Sequence, residues 1–563
     1  MVNHERIVQI LNRILRLEGA EFISELYRQL LNREPDPQGL HYHVSLLTRK
    51  VSKMSLITTF MQSEEAERVY RQVLYNPIEY NRNTVARIIS LFYLASNLYF
   101  VHALYNELLG RNPEQGGIDI HVQYLLRGLS RKNLLNHILL SEECQRILIS
   151  EQIPVFHGTI IPHSGTQMSK RIGIFVGFAQ LLDLDGEGIG RFLARLVHGL
   201  LMHNSETVIY AVTTLENYGG FEKLFSKELA QFPERFILLT SNSMDWINTH
   251  VPVDVWIVPS ISIEMAMFLQ KPFILCLHDL VYLHFRDMYY GKLPEFTDKV
   301  NRFAYPMTDK AYAVVFNSNY VRTADGIGYL ELPVEKTHVI RLAAPTEEYS
   351  SFGIYDEDSF RKKYQLFEKY IVFPSVIRLH KNHCMLIEAF IKFRHTPDGY
   401  HSKLQLVFTD NCHTSLLNKE ISDILESCVD LDIRRSIHFI GRIPSTDLPS
   451  LYKYAIGTIV PTLFEGSCPF PILESLAVGT PVAASRIEVT KEVIHDIESF
   501  LPFNPTSVEE MANSIQLLWS HNSNLLPRQI NTLSASLSRT WSDVAHEYFN
   551  LTQHVIQLTQ TVP

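Results

Sequence analysis

From residue 171 onward the chain alternates short, continuously apolar runs with longer segments whose apolar residues recur at three and four. Residues 171–177, 207–212, 254–258, 272–277 and 311–316 form one set of such runs. A second set comprises 370–374, 404–408, 437–441, 456–460 and 481–484, and closes with 500–503. A strand covered on both faces is apolar throughout, and the helical segments between runs supply crossovers, so each set predicts a parallel, doubly wound sheet. Residues 347–369, between the sets, are charged and aromatic with one amphipathic helix pattern and no strand; they predict a hinge. The expected class is α/β, with two Rossmann-like halves facing a cleft and ligands bound at the carboxyl ends of the strands.

Residues 1–150 lack this alternation and are helical in pattern. The most apolar stretch, 88–105, is broken by Ser90, Ser96, Asn97 and His102, which predicts a buried amphipathic helix rather than a membrane span. A polar, Pro- and Gly-containing segment, 151–170, predicts a linker, and few buried contacts are expected to cross it. The division that follows is an all-helical region at 1–150, the linker, halves at 171–346 and 347–535, and a last helix at 536–563.

The helical region repeats itself. Leu26-Tyr-Arg-Gln-Leu-Leu-Asn-Arg-Glu-Pro-Asp-Pro-Gln-Gly39 returns as Leu104-Tyr-Asn-Glu-Leu-Leu-Gly-Arg-Asn-Pro-Glu-Gln-Gly-Gly117. The offset of 78 residues holds from Leu26/Leu104 through His43/His121 to Ser63/Ser141, giving copies at about 22–68 and 100–147. Ser63 and Ser141, each followed by two glutamates, are expected helix N-caps. The copies resemble a bacterial helical domain of unknown function with a Leu-Tyr-x-x-Leu-Leu-x-Arg signature closing on Ser-Glu-Glu. That resemblance implies no chemistry; Arg33/Arg111 and His43/His121 are expected to be structural, and the repeats to offer a surface for a protein partner.

Composition narrows the function. The chain has 563 residues, 46% hydrophobic and 20% charged, which suits a soluble protein of about three or four domains. A formal net charge of -9 argues against nucleic acid as the main partner. Six scattered cysteines without metal-type spacing fit a reducing compartment, and the first residues do not have the pattern of a signal peptide. The expected location is cytoplasmic, with peripheral attachment at the inner face of a membrane left open. Asp183-Leu-Asp185 and Asp430-Leu-Asp432 spell Asp-x-Asp but lack a strand context, so no metal site and no cofactor are expected.

The chemistry concentrates in the second half. Pro461-Thr-Leu-Phe-Glu465-Gly-Ser-Cys-Pro-Phe-Pro-Ile-Leu-Glu474 places two carboxylates around a turn that opens into a helix, where free N–H groups and the helix dipole favour a phosphate. Arg378 and Lys381 stand on the turn after the run at 370–374, positioned to neutralise a departing diphosphate. His278 follows the run at 272–277, and Gly188 and Gly190 follow the first run in a Gly-rich loop. These motifs resemble those of retaining glycosyltransferases of family 4, which have the GT-B fold. One departure stands out: eight residues separate Glu465 from Glu474, where the family has Glu-x7-Glu.

The resemblance implies hexosyl transfer from a nucleotide-diphosphate sugar, GDP-mannose or a UDP-hexose, to a glycan or lipid-linked hydroxyl. It implies His278, Arg378, Lys381 and Glu465 as catalytic residues, and Gly188, Gly190, Gly466, Ser467, Phe470, Pro471 and Glu474 as donor-binding ones, with Glu474 on the ribose. It also implies that the last helix crosses back to the first half. The rival expectation is a GT-B scaffold that keeps nucleotide affinity, has lost transfer, and serves the repeats as an interaction platform. A GT-B epimerase is a weaker third.

Overall fold

The computed structural model describes residues 5–71, 84–149, 170–182, 184 and 188–561. Asp183, Asp185 and the linker segment 151–169 lie outside the described residues. Two parallel sheets form the body. The first contains β1 (Lys170–Val176), β2 (Thr207–Thr213), β3 (Phe236–Thr240), β4 (Val255–Val258), β5 (Phe273–Cys276), β6 (Ala313–Phe316) and β7 (Thr337–Val339), in the order β3-β2-β1-β4-β5-β6-β7. The second contains β8 (Tyr370–Phe373), β9 (Gln405–Phe408), β10 (Ile437–Phe439), β11 (Gly457–Val460) and β12 (Val482–Ala484), in the order β10-β9-β8-β11-β12.

The central strands are all among those the apolar runs predict, because burial on both faces requires apolar residues at every position, and the edge strands β10 and β12 are predicted with them. The edge strands β3 and β7 were not predicted. β7 is only Thr-His-Val and carries no apolar run, whereas β3, Phe236-Ile-Leu-Leu-Thr240, is an apolar run that lies outside the two expected sets. Residues 500–503 do not form the predicted strand. Leu501 has φ 45°, Pro502 has no N–H to give a ladder, and one bridge, Ser485 to Phe503, is what remains. Between the sheets, two short helices, Thr346–Phe352 and Glu357–Tyr364, take the place of one, divided at Gly353 (φ 74°). Helix Trp541–Thr561 lies against helix Gly188–His203 so closely that a Cβ on Gly199 would stand 2.9 Å from the Ala545 Cβ.

The two repeat copies share their internal bonds as well as their sequence. Their first helices end on left-handed residues at matching positions, Asn32 (φ 55°) and Gly110 (φ 68°). Arg33 pairs with Glu65 at 2.5 Å, as Arg111 does with Glu143 at 2.6 Å, and Tyr27–His43 matches Tyr105–His121 at 3.3 Å. Ser63 and Ser141 accept from Ala66 N (3.0 Å) and Cys144 N (3.3 Å) as caps.

The repeats do not stand apart from the body. Helix Asn97–Leu104 is apolar nearly all round, and a helix of that kind must be covered on more than one side. The Tyr99 ring packs on Phe268 and Phe303, Ser96 N donates to Glu264 Oε1 at 3.1 Å, and His102 Nε2 meets Asn242 O at 3.1 Å. Burial lowers the pKa of His102 to about 4. The expectation of few buried contacts between repeats and body is therefore corrected. Tyr99→Ala is expected to destabilise this junction by about 3 kcal/mol, the usual scale for emptying a buried aromatic site. Scanning calorimetry should show the loss as a lower midpoint or a separate early transition.

Candidate functional site

The site is built on the strand ends of both sheets. After β8, Arg378 opens a single 3-10 turn, Leu379–Lys381, which ends on Asn382 in the left-handed conformation (φ 63°). Asn382 tolerates that conformation and is fixed by it: Nδ2 donates to Pro461 O at 3.0 Å and Pro505 O at 2.7 Å. Leu463 N donates to His380 O at 2.8 Å. These bonds tie the turn after β8 to the loop after β11, and the result is that Lys381 Nζ donates to Glu465 Oε1 at 2.6 Å. Glu465 lies in the loop before helix Phe470–Ala477 and Glu474 within that helix.

The first half closes this centre. Gly466 packs so tightly that a Cβ there would lie 2.1 Å from His278 O and 3.2 Å from Asp279 Oδ2. Tyr289, on helix Arg286–Lys292, brings its hydroxyl within 2.7 Å of His380 Nδ1. Burial pushes the Glu465 carboxyl above its ordinary range; Lys381 holds it down and Asp279 adds to the rise. Burial also raises Asp279, against the Val281 N–H and the charges of His278 and Lys381, with Asp325 adding to the rise. The same burial, with Lys381 and Arg378 nearby, holds His380 well below its usual value. The centre thus joins one cation, two carboxyls and a phenol in a half-buried setting, where electrostatic interactions are stronger than in bulk water.

His278 is not turned into this cluster. Its Nδ1 meets Asn317 Oδ1 at 2.7 Å and its Nε2 meets Pro259 O at 2.9 Å. Both ring nitrogens are used within the first half, while Asp279, the next residue, faces Gly466. Asp279 and Tyr289 were not singled out from the sequence; the adjacency of Asp279 to His278 was the one available signal. Ser318 caps the helix at Asn319–Val321 through its Oγ, and Asp430 caps Leu431–Arg435. The second Asp-x-Asp is thus a helix start.

The other predicted residues surround helix Phe470–Ala477. Its N-cap is Pro469, no side chain caps it, and its first turn has no acidic residue. Ser467 and Pro471 are half-buried beside that start. Glu474 is 2% exposed; Arg191 Nη1 donates to its Oε1 at 3.0 Å and Tyr452 OH to its Oε2 at 2.7 Å. Gly188 begins helix Gly188–His203 in the open, whereas Gly190 is buried where a Cβ would meet Leu184 O at 2.1 Å. Arg378 is exposed at the rim.

Residues 356–532 match the family of glycosyl transferases group 1, and residues 15–70 and 92–147 match a domain of unknown function (DUF4214). A segment similar to the group 1 glycosyl transferases thus follows two segments similar to that helical domain. A stretch of 138 residues is 28% identical to an uncharacterized glycosyltransferase of Methanocaldococcus jannaschii, covering 23% of this chain and 34% of the relative. Another of 94 residues is 33% identical to O-antigen chain mannosyltransferase B of Escherichia coli, covering 16% of this chain and 24% of that protein. The chain thus aligns with about a third and a quarter of these relatives.

Among solved structures, Anabaena Alr3699/HepE in complex with UDP and glucose superposes with a TM-score of 0.51 at 14% identity, over 68% of this chain and all of that one. Sucrose-phosphate synthase from Thermosynechococcus elongatus gives 0.51 at 16% identity, over 69% of this chain and all of its own. The fold of the body is GT-B. Among the described residues, no helix is long and apolar enough to cross a membrane.

Proposed function

We propose that the protein is a retaining glycosyltransferase of the family 4 type, moving a hexosyl unit from a nucleotide-diphosphate sugar to a hydroxyl of a glycan or lipid-linked acceptor. The Lys381–Glu465 contact carries this reading, because it joins the two chemistry-bearing motifs at one point opposite Asp279. In this reading the uncapped start of helix Phe470–Ala477 seats the diphosphate, and Arg378 and Lys381 neutralise its growing charge as the glycosidic bond breaks. Glu474 holds the ribose. Glu465 accepts from a sugar hydroxyl, and Asp279 faces the sugar from the first half. His278, bonded on both nitrogens, fixes the strand end that presents Asp279 and the surface against Gly466.

Side-chain cations and helix N–H groups supply the charge that a divalent ion supplies elsewhere, so the reaction is proposed to need no metal. The HepE structure holds UDP and glucose, and the Escherichia coli relative is named a mannosyltransferase; both support a nucleotide-sugar donor, GDP-mannose or a UDP-hexose, in polysaccharide assembly. The engagement of both Glu474 oxygens by protein side chains favours the rival reading, a nucleotide-binding scaffold. NMR of the product's anomeric proton tests the proposal: the donor's configuration is expected, with the rate unchanged by chelator. An inverted product, or strict dependence on a divalent ion, contradicts it.

A further inference from the structure

One ion pair, with its carboxylate buried, joins the two halves. Arg191, on the first turn of helix Gly188–His203, reaches Glu474 in the other half. Its guanidinium lies 5.7 Å from the centre of the Phe470 ring, at the start of the uncapped helix. Arg195, one turn further on, lies 5.3 Å from the same ring and donates through Nε to Glu348 Oε2 at 2.5 Å. The buried Arg195 Nη1 has no hydrogen-bond partner, and neither does the Tyr349 hydroxyl, whose surroundings include Arg191, Arg195 and Glu474. Buried donors without acceptors are costly, so this corner is short of acceptor atoms.

Resting on the donor reading above, we propose that Arg191 is a donor-exchanged clamp. In the structure its guanidinium holds the Glu474 oxygen that a ribose diol needs, Tyr452 having the other. A bound donor takes over that oxygen, and Arg191 turns across Phe470 to the diphosphate. The exchange keeps every buried charge hydrogen-bonded in both arrangements, which a simple loss of the pair would not. It also makes closure of the first half onto the second depend on phosphate, since Arg191 belongs to the first half and its new partner to the donor. Arg195 Nη1 and the Tyr349 hydroxyl provide further donors to the same anion.

The clamp predicts opposite effects on the two parts of a nucleotide. Calorimetric titration of the full chain and of Arg191→Met with uridine, UDP, guanosine and GDP separates them. For the base that the wild type accepts, the nucleoside is expected to bind the variant about tenfold more tightly, because no charge-assisted bond has to break first. The affinity that the diphosphate adds is expected to fall by about ten- to a hundredfold, the worth of a hydrogen bond to a charged group. Arg191→Lys keeps a cation in the helix, and should show the same split at smaller amplitude if Arg191→Met does not fold. A nucleoside that binds no more tightly, or a diphosphate increment that is unchanged, overturns the exchange. A wild type that binds no nucleotide overturns the donor reading, and the exchange with it.

Discussion

Lys381→Ala is expected to lower turnover of the donor by about two to three powers of ten, the usual loss when one preorganised partner of a developing anion is removed. The structure adds a second consequence. Lys381 is what holds the buried Glu465 carboxyl down against desolvation. Without the cation, that carboxyl takes up its proton at a higher pH. The sign is fixed: a favourable positive neighbour lowers an acid's pKa, so losing it moves the acid limb of the pH–rate profile upward. Residual activity of the variant should therefore rise toward alkaline pH over a range where the wild type is already flat. A buried carboxylate stripped of its partner also costs stability. Lys381→Ala/Glu465→Gln should recover that stability without recovering turnover. Wild-type rates in Lys381→Ala would remove the assignment of this residue to the departing diphosphate.

Gly466→Ala is expected to be nearly as damaging, for a steric reason. The added methyl would sit 2.1 Å from the His278 carbonyl, a backbone atom held by β5 and by the bonds of the His278 ring. Neither side can give way cheaply, so the halves must separate at that point, at an overpacking cost of about 1–3 kcal/mol. Separation draws Glu465 from Asp279 and Tyr289. Turnover should fall by about ten- to a hundredfold, given how steeply positioning enters the rate. Nucleotide affinity should change less, since the helix start and Glu474 belong to the second half. Full activity in Gly466→Ala would mean that the two halves do not close at this point during the reaction.

The sequence held much of the fold, because central parallel strands must be apolar at every position, and that signal survives without any knowledge of neighbours. It did not hold β7, whose three residues, Thr-His-Val, leave no apolar run, while β3 is legible as Phe236-Ile-Leu-Leu239 although it falls outside the two expected sets. The docking of the repeats was hidden as well. The apolarity of Asn97–Leu104 showed that the helix is buried, but not that Phe268 and Phe303 bury it. Within the site, Lys381, Glu465 and Glu474 stood out because each lies in a local motif beside a turn or helix start. Asp279, Tyr289 and Arg191 did not, because their significance comes from partners far along the chain. Arg191 and Glu474 are 283 residues apart, and nothing near either one announces the other.

The most direct test of the account is release of free nucleoside diphosphate when the full chain is incubated with a panel of GDP- and UDP-sugars. The account predicts release from at least one of them, and its near-absence in Lys381→Ala. A wild-type chain that binds a nucleoside diphosphate yet releases none from any sugar, with or without added glycan and lipid-linked acceptors, would contradict it.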